Sequence, residues 1–427
     1  MAMETVTIKN WKKHKIKDFG AVSTGTTPST KNPDYYGGPY KLISPSDLTD
    51  SKYIFTAHKF ITQQGLMVAR TLPKNAVLVG CIGNVGKIGI TTDEISAFNQ
   101  QINAIVCNAN YNADFVYYLL RYQRPLLESK AAKVTLPILN KNNFENIEFE
   151  VPNLLEQKSI ARVLTVVQEA IAGQEELIAK LKELKRGMMQ YLFTHGTKSE
   201  KTKITELGEM PESWKLMTVR EAIEKYIIEK PIDGNHGNIH PKSSDFVSDG
   251  IPFIMASDLI GNHVDIKNCH FIRKSQADNL QKGFSITGDV LLSHKATIGR
   301  TALVGKLDTE YIMITPQVTY YRVKNRDLLQ NYFLRHFFDS SYFQKILKRI
   351  AGDGSTRAYI GILKQQILPI ILPPLDEQKR ITNALDTVDN KIEFSQVKLL
   401  NYQNLFKTLL HELMSGERRV KLSNNNL

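Results

Sequence analysis

A chain that repeats the same ordered landmarks must fold as two versions of one unit, and this sequence of 427 residues does so. Trp11-Lys-Lys returns 203 residues later as Trp214-Lys-Leu, and Ser46-Asp47-Leu48 returns 211 residues later as Ser257-Asp258-Leu259. Gly86-Lys87 and Gly299-Arg300 are 213 apart, and Gln101-Ile102 and Gln317-Val318 are 216 apart. Glu156-Gln157-Lys158 and Glu377-Gln378-Lys379 stand 221 apart. The offset grows through the first part of each half, so insertions have collected there.

Beyond Glu156 the offset holds and the pattern turns helical. Ile160, Leu164, Val167, Ile171, Gln174, Ile178, Leu181, Lys185, Met188 and Leu192 step by four and three residues in alternation. Their counterparts are Ile381, Leu385, Val388, Ile392, Ser395, Leu399, Tyr402, Phe406, Leu409 and Leu413. Such spacing lays one narrow seam along a helix. Asn153 with Glu156 three residues on reads as a capping box. At the second start Pro374 takes the cap position, leaving Asp376 and Glu377 to complement the helix dipole. Gly196 and Gly416 are the expected stops.

The expected segments are a first globular domain (1–152), a spacer helix (153–196), a linker (197–213), a second globular domain (214–373), a second spacer helix (374–416) and a tail (417–427). Helices of this length exceed the usual globular one, which favours two paired seams over the alternative that each helix packs on its own domain. The first helix ends at the second domain, whose exit starts the second helix, so paired seams must run antiparallel. The expected architecture is α+β: two similar domains joined by two long antiparallel coiled-coil helices, with an approximate internal two-fold axis.

Composition narrows the function classes. A hydrophobic content of 42% with 23% charged residues is that of a globular protein, and no stretch approaches the roughly 20 apolar residues of a membrane span. Met1 to Lys17 is polar and Lys-rich, unlike a secretory signal; a cytoplasmic location is expected. Cys81, Cys107 and Cys269 form no metal-site spacing and read as small buried residues. The net charge of +12 favours a polyanionic partner.

The landmarks resemble those of the specificity subunits of type I restriction-modification systems. The matching stretches are Gly25-Thr-Thr-Pro-Ser-Thr with Tyr36-Gly-Gly and Ser46-Asp47-Leu48, then Gly288-Asp289-Val290-Leu291 and Ile298-Gly299-Arg300. The junctions Val151-Pro152-Asn-Leu-Leu-Glu156-Gln157 and Leu372-Pro-Pro-Leu-Asp-Glu377-Gln378 are the most specific. The resemblance runs from Trp11 to Gly416 and departs only in a short N-terminal lead and in proline at the second cap. It implies a non-catalytic subunit with two target recognition domains, which joins two methyltransferase subunits and two motor-nuclease restriction subunits on double-stranded DNA. The implied target is bipartite, two half-sites around an unspecified gap. S-adenosylmethionine, ATP and magnesium would belong to the partner subunits, with no cofactor or metal on this chain. Two other classes are a free-standing DNA-modifying enzyme and a coiled-coil adaptor that binds protein.

Catalytic motifs weigh against the enzyme. Asn32-Pro33-Asp34-Tyr35 lacks the second proline of an adenine-methyltransferase loop and reads as a simple Asn-Pro turn. Gly80 to Lys87 has the wrong glycine spacing for a phosphate loop, and Ile88 stands where Ser or Thr should bind magnesium. The run reads instead as two strands around a Gly-Asn turn, and Val290 to Val304 repeats it. His236 and His240 have helical ligand spacing, but Gly234, Gly237 and Pro241 break any helix there.

DNA contacts are expected on polar loops, because phosphates attract Lys, Arg and hydroxyls while base edges suit Arg, Asn and Gln. In domain one the candidates are Ser29, Lys31, Tyr36, Asn84, Lys87, Gln101 and Lys133; in domain two they are His240, Lys242, Ser243, His294, Lys295, Thr297, Arg300, Gln317 and Arg357. Lys87 and Arg300 are expected to do comparable work. At about 1.5 Å per residue the helices reach roughly 50 to 60 Å, which suits half-sites about one duplex turn apart.

Overall fold

A computed structural model describes residues 11–133, 136–352 and 359–420, without the side chains of Lys133 and Asn238. The chain divides into two compact units. Unit 1 combines the chain up to Glu175 with the segment from Val397 onward, and unit 2 runs from Glu176 to Gln396. Each unit therefore contains one mixed domain, the start of one long helix and the end of the other.

The two domains share one strand plan. In unit 1, Gly20–Thr24, Ile102–Cys107, Val77–Gly80, Ile88–Thr91 and Tyr53–Ile54 are neighbours in that order in one sheet. In unit 2 the order is Ile232–Asp233, Val318–Tyr321, Val290–Ser293, Thr301–Leu303 and His263–Val264. A second sheet orders Phe60–Ile61, Tyr36–Ile43, Ile95–Phe98 and Thr71–Pro73 in unit 1, matched by His270–Ile272, Ile251–Ile254, Ile312–Ile314 and Phe284–Ser285 in unit 2. Unit 2 shows two further short edge strands, Phe246–Val247 and Leu259–Ile260.

A final strand ties each domain's end back to its start, Glu148–Val151 on Lys12–Lys15 and Pro369–Leu372 on Lys215–Thr218. These pairs deliver the chain into the long helices Leu154–His195 and Leu375–Ser415. Both helices stop at glycines with left-handed backbone, Gly196 at φ +66° and Gly416 at φ +75°. The stretch 197–213, read as a linker, carries a hairpin of Thr202–Thr205 and Gly208–Pro211.

The repeated Glu-Gln pairs have a structural role at these junctions. Gln157 accepts from the Asn112 N–H at 3.0 Å and donates to the Pro152 carbonyl, so one side chain clamps the long helix to the start of the domain helix Ala113–Tyr122. Gln378 repeats this, accepting from the Gln330 N–H at 2.8 Å and donating to the Pro373 and Leu328 carbonyls. Asn153 caps as expected, taking the Glu156 N–H at 3.0 Å. The reciprocal half of the capping box is not formed: Glu156 is 3% exposed and binds Arg419 instead. Glu377 likewise accepts from the Trp214 indole at 3.1 Å and the Thr197 N–H at 2.6 Å.

Helix pairing is antiparallel within each unit. In unit 1, Ile160 and Leu164 at the start of the first helix pack with Phe406 and Leu413 at the end of the second, and Val167, Ile171 and Leu409 line the same cluster. In unit 2, Ile381 and Leu385 pack with Met188, Leu192 and Phe193. Ile178 and Val388 are buried, and Leu181, Ile392 and Leu399 are half-buried. The seam is not purely helix on helix. Phe115 and Leu119 join the first cluster and Phe333 and Phe337 the second, so each helix start also packs on its own domain. Contact with the domain of the same unit buries Ala161 at a helix start and Met189, Phe193 and Met414 at helix ends, all outside the seam. Among the described residues no helix is long and apolar enough to cross a membrane.

Candidate nucleic-acid interface

In each domain a hairpin turn is the centre of a cluster of polar loops, and the turn is built identically. In domain one the Gly80 N–H donates to the Lys87 carbonyl at 2.8 Å and the Gly86 N–H to the Gly80 carbonyl at 3.0 Å. In domain two the Ser293 N–H donates to the Arg300 carbonyl and the Gly299 N–H to the Ser293 carbonyl, each at 2.9 Å. Left-handed backbone is needed at Gly83 and Gly86 in one turn, and at Ala296 and Gly299 in the other. The run read as a strand-turn-strand, rather than as a phosphate loop, has that form.

Backbone bonds draw further loops to the domain-one turn. The Cys81 N–H donates to the Gln101 carbonyl and the Gly83 N–H to the Pro137 carbonyl, at 2.8 and 3.0 Å. The Gly25 N–H donates to the Ile102 carbonyl, which brings in the loop that carries Ser29 and Lys31. Ser29, Lys31 and Asn84 are exposed, while Lys87 and Gln101 are half-buried. Gln101 keeps its amide oxygen on Asn99 Nδ2 at 3.2 Å. The Tyr36 hydroxyl donates to the Pro28 carbonyl at 2.6 Å and shapes that loop. Asn32 accepts from the Asp34 N–H, so Asn-Pro forms the simple turn expected. Lys133 ends the strand Ala132–Lys133, and its side chain lies outside the described residues.

Domain two gathers His240, Lys295 and Gln317 around one concave surface, together with His236, Met255 and Thr315. Lys242 lines an adjacent depression with His240. Lys242, Ser243, Lys295 and Thr297 are exposed. Arg300 is exposed too, but its guanidinium lies in another groove and donates to the Ala256 and Ser257 carbonyls at 3.2 and 3.3 Å. His294 is a correction to the expected contacts. It is 0% exposed, and its Nδ1 is 2.9 Å from the Ile360 carbonyl, so it supports the turn from behind. Burial also holds its pKa below the ordinary histidine value. Arg357 lies outside the described residues.

Asp233 was not expected from the sequence, whereas His236 entered there only through its spacing from His240. Asp233 Oδ2 is 2.7 Å from His236 Nε2, and its other oxygen binds Lys282 Nζ. Burial pushes the Asp233 carboxyl up, but bonds to Lys282 and His236 carry it below the ordinary value. The repeat held the signal: Asp233 pairs in register with Thr319 where Thr24 pairs with Asn103, so an acid replaces a threonine at matched positions. His236 is engaged with that acid, while burial lowers the pKa of His240. Cys81 and Cys269 are buried and Cys107 half-buried, their thiols pushed up to about 11, 11 and 12 by burial.

Comparison with known proteins gives this geometry a context. The family model described as type I restriction modification DNA specificity domain matches residues 8–183 and again 211–402. The chain is 26% identical to the type I restriction enzyme MjaVIII specificity subunit of Methanocaldococcus jannaschii, across 97% of this chain and 94% of that protein. Identity to the Escherichia coli EcoBI specificity subunit is 23%, across 80% of this chain and 73% of the relative. The S subunit of a type I restriction-modification system from M. genitalium has the same fold, with a TM-score of 0.62 at 15% identity and 99% of each chain covered.

Proposed function

This chain belongs to the type I restriction modification DNA specificity family, and on that footing we propose that its two domains read two half-sites of a bipartite duplex target. The chain is a non-catalytic specificity subunit that directs methyltransferase and restriction partners to DNA. In this reading two methyltransferase subunits and two motor-nuclease subunits bind it in the cytoplasm. S-adenosylmethionine, ATP and magnesium are then bound by those partners.

One observation carries the reading: two domains of one strand plan present the same turn, at matched positions, with different side chains. Asn84 and Lys87 in one turn correspond in sequence to Thr297 and Arg300 in the other, and these side chains supply hydrogen-bonding groups for base edges or phosphates. Two readers with unlike contact residues specify two unlike half-sites. The long helices, 42 and 41 residues, act as the ruler for the gap.

Purified chain, assayed for methyl transfer and DNA binding with and without a methyltransferase subunit, tests this directly. Sequence-specific binding and adenine methylation are expected only with the partner. Methyl transfer by the chain alone contradicts the reading. Inserting one heptad in each long helix is expected to lengthen the gap and leave both half-sites intact.

A further inference from the structure

The two helix junctions share a backbone plan but are filled with opposite chemistry. In unit 2, Lys185 of the first long helix reaches Asp389 of the second, Nζ to Oδ1 at 2.7 Å, and lies 3.8 Å from Asp339. Arg335, 2% exposed, donates to Asp389 at 3.1 Å and to Asp386 at 3.0 Å. His336, 0% exposed, sits 2.7 Å from the same Asp386 oxygen. His336, Asp386 and Asp389 are close enough together to suggest metal ligands, but the Arg335 guanidinium already bonds to all three residues.

Unit 1 holds none of these charges at the matching places. Along the long helices the offset of 221 puts Phe406 at the place of Lys185, Thr165 at that of Asp386 and Gln168 at that of Asp389. The Gln157 and Gln378 clamps match Asn112 with Gln330, which sets Tyr117, Tyr118 and Arg121 against Arg335, His336 and Asp339. Arg121 lies over the Phe406 ring at 4.9 Å, and the Tyr118 ring is 6.1 Å from it. The Tyr118 hydroxyl meets Thr165 at 3.0 Å. An acid faces the lysine in one junction, and a cation faces the ring in the other.

We propose that the two junctions form a pairing code, in which the end of the first helix fits only the second domain and the end of the second helix fits only the first. The partner this code rejects is a second copy of the chain joined like half to like half. In that arrangement Lys185 would lie beside Arg121 and two tyrosines, a half-buried ammonium next to a like charge. Phe406 would lie against Asp339, Asp386 and Asp389, whose network would be one cation short. A buried charge stripped of its partner is strongly destabilising, and polar residues in a seam are an established means of fixing register and partner. The code rests on packing alone and stands whether or not the domains read DNA as proposed.

The full chain carrying both Lys185→Phe and Phe406→Lys tests it, with mass measured by light scattering. Each single substitution is expected to lower Tm. The double exchange restores a match only between copies, so it is expected to give dimers or larger species with a concentration-dependent Tm, against a monomeric parent. A monomeric double variant with the parent's Tm overturns the code. Should it precipitate, Lys185→Phe combined with the unit 1 set (Arg335→Tyr, His336→Tyr, Asp339→Arg, Asp386→Thr, Asp389→Gln) decides the matter. Recovery of the Tm lost by Lys185→Phe alone supports the code, and no recovery overturns it.

Discussion

Ala296 has φ +64° at the position where the first domain has Gly83 at φ +74°. An L side chain in this conformation costs on the order of 1 kcal/mol relative to glycine. Ala296→Gly is therefore expected to raise the midpoint of unfolding by a few degrees, and an unchanged or lower Tm would contradict the strain. At the matching turn of domain one, Lys87→Ala should weaken binding to all DNA and reduce the slope of log affinity against log salt by about 1. Arg300→Ala should weaken binding to DNA that contains the second half-site, and unaltered affinity and methylation would remove it from the reader. The Gly-Lys and Gly-Arg match made the two equivalent turns legible, since only spacing was needed. His294 was not legible: it follows the strand Val290–Ser293, in which every residue is buried, so no alternation marks which side chains face water.

The long helices and their glycine stops could be read from sequence because a three-four spacing over 40 residues admits little else. The charge network at the start of the second helix could not, since Arg335 and His336 lie on the separate domain helix Asn331–Asp339. Burial, followed by Arg335, lowers the pKa of His336 despite its bond to Asp386. A depressed histidine takes up its proton more readily when unfolded, so its stabilising effect is full above the unfolded pKa of about 6.5 and is lost as pH falls through the folded value. Asp386 is also depressed, since bonds to His336 and the charges of Arg335 and Lys185 outweigh burial; its contribution is lost only in stronger acid. The stability of the chain is expected to decline as pH drops below about 6.5. His336→Gln should flatten that decline, and an identical pH profile in the variant would contradict the assignment.

At the scale of the molecule, the duplicated landmarks revealed both the number of domains and their kinship, because insertions shift offsets without disturbing order. Sheet order was out of reach, since parallel pairs such as Tyr36–Ile43 with Ile95–Phe98 join segments far apart in sequence. So was the contact of each helix start with its own domain, which a seam drawn for helix partners alone cannot show. Two domains of one plan with unlike turns make an asymmetric reader, and mapping methylated adenines in cells that hold the chain with its methyltransferase reads that asymmetry directly. The expected motif has two different specified parts around a gap of fixed length, and replacing Thr297 and Arg300 alters only one part. A single continuous motif, or a change in both parts at once, would contradict the assignment of one half-site to each domain.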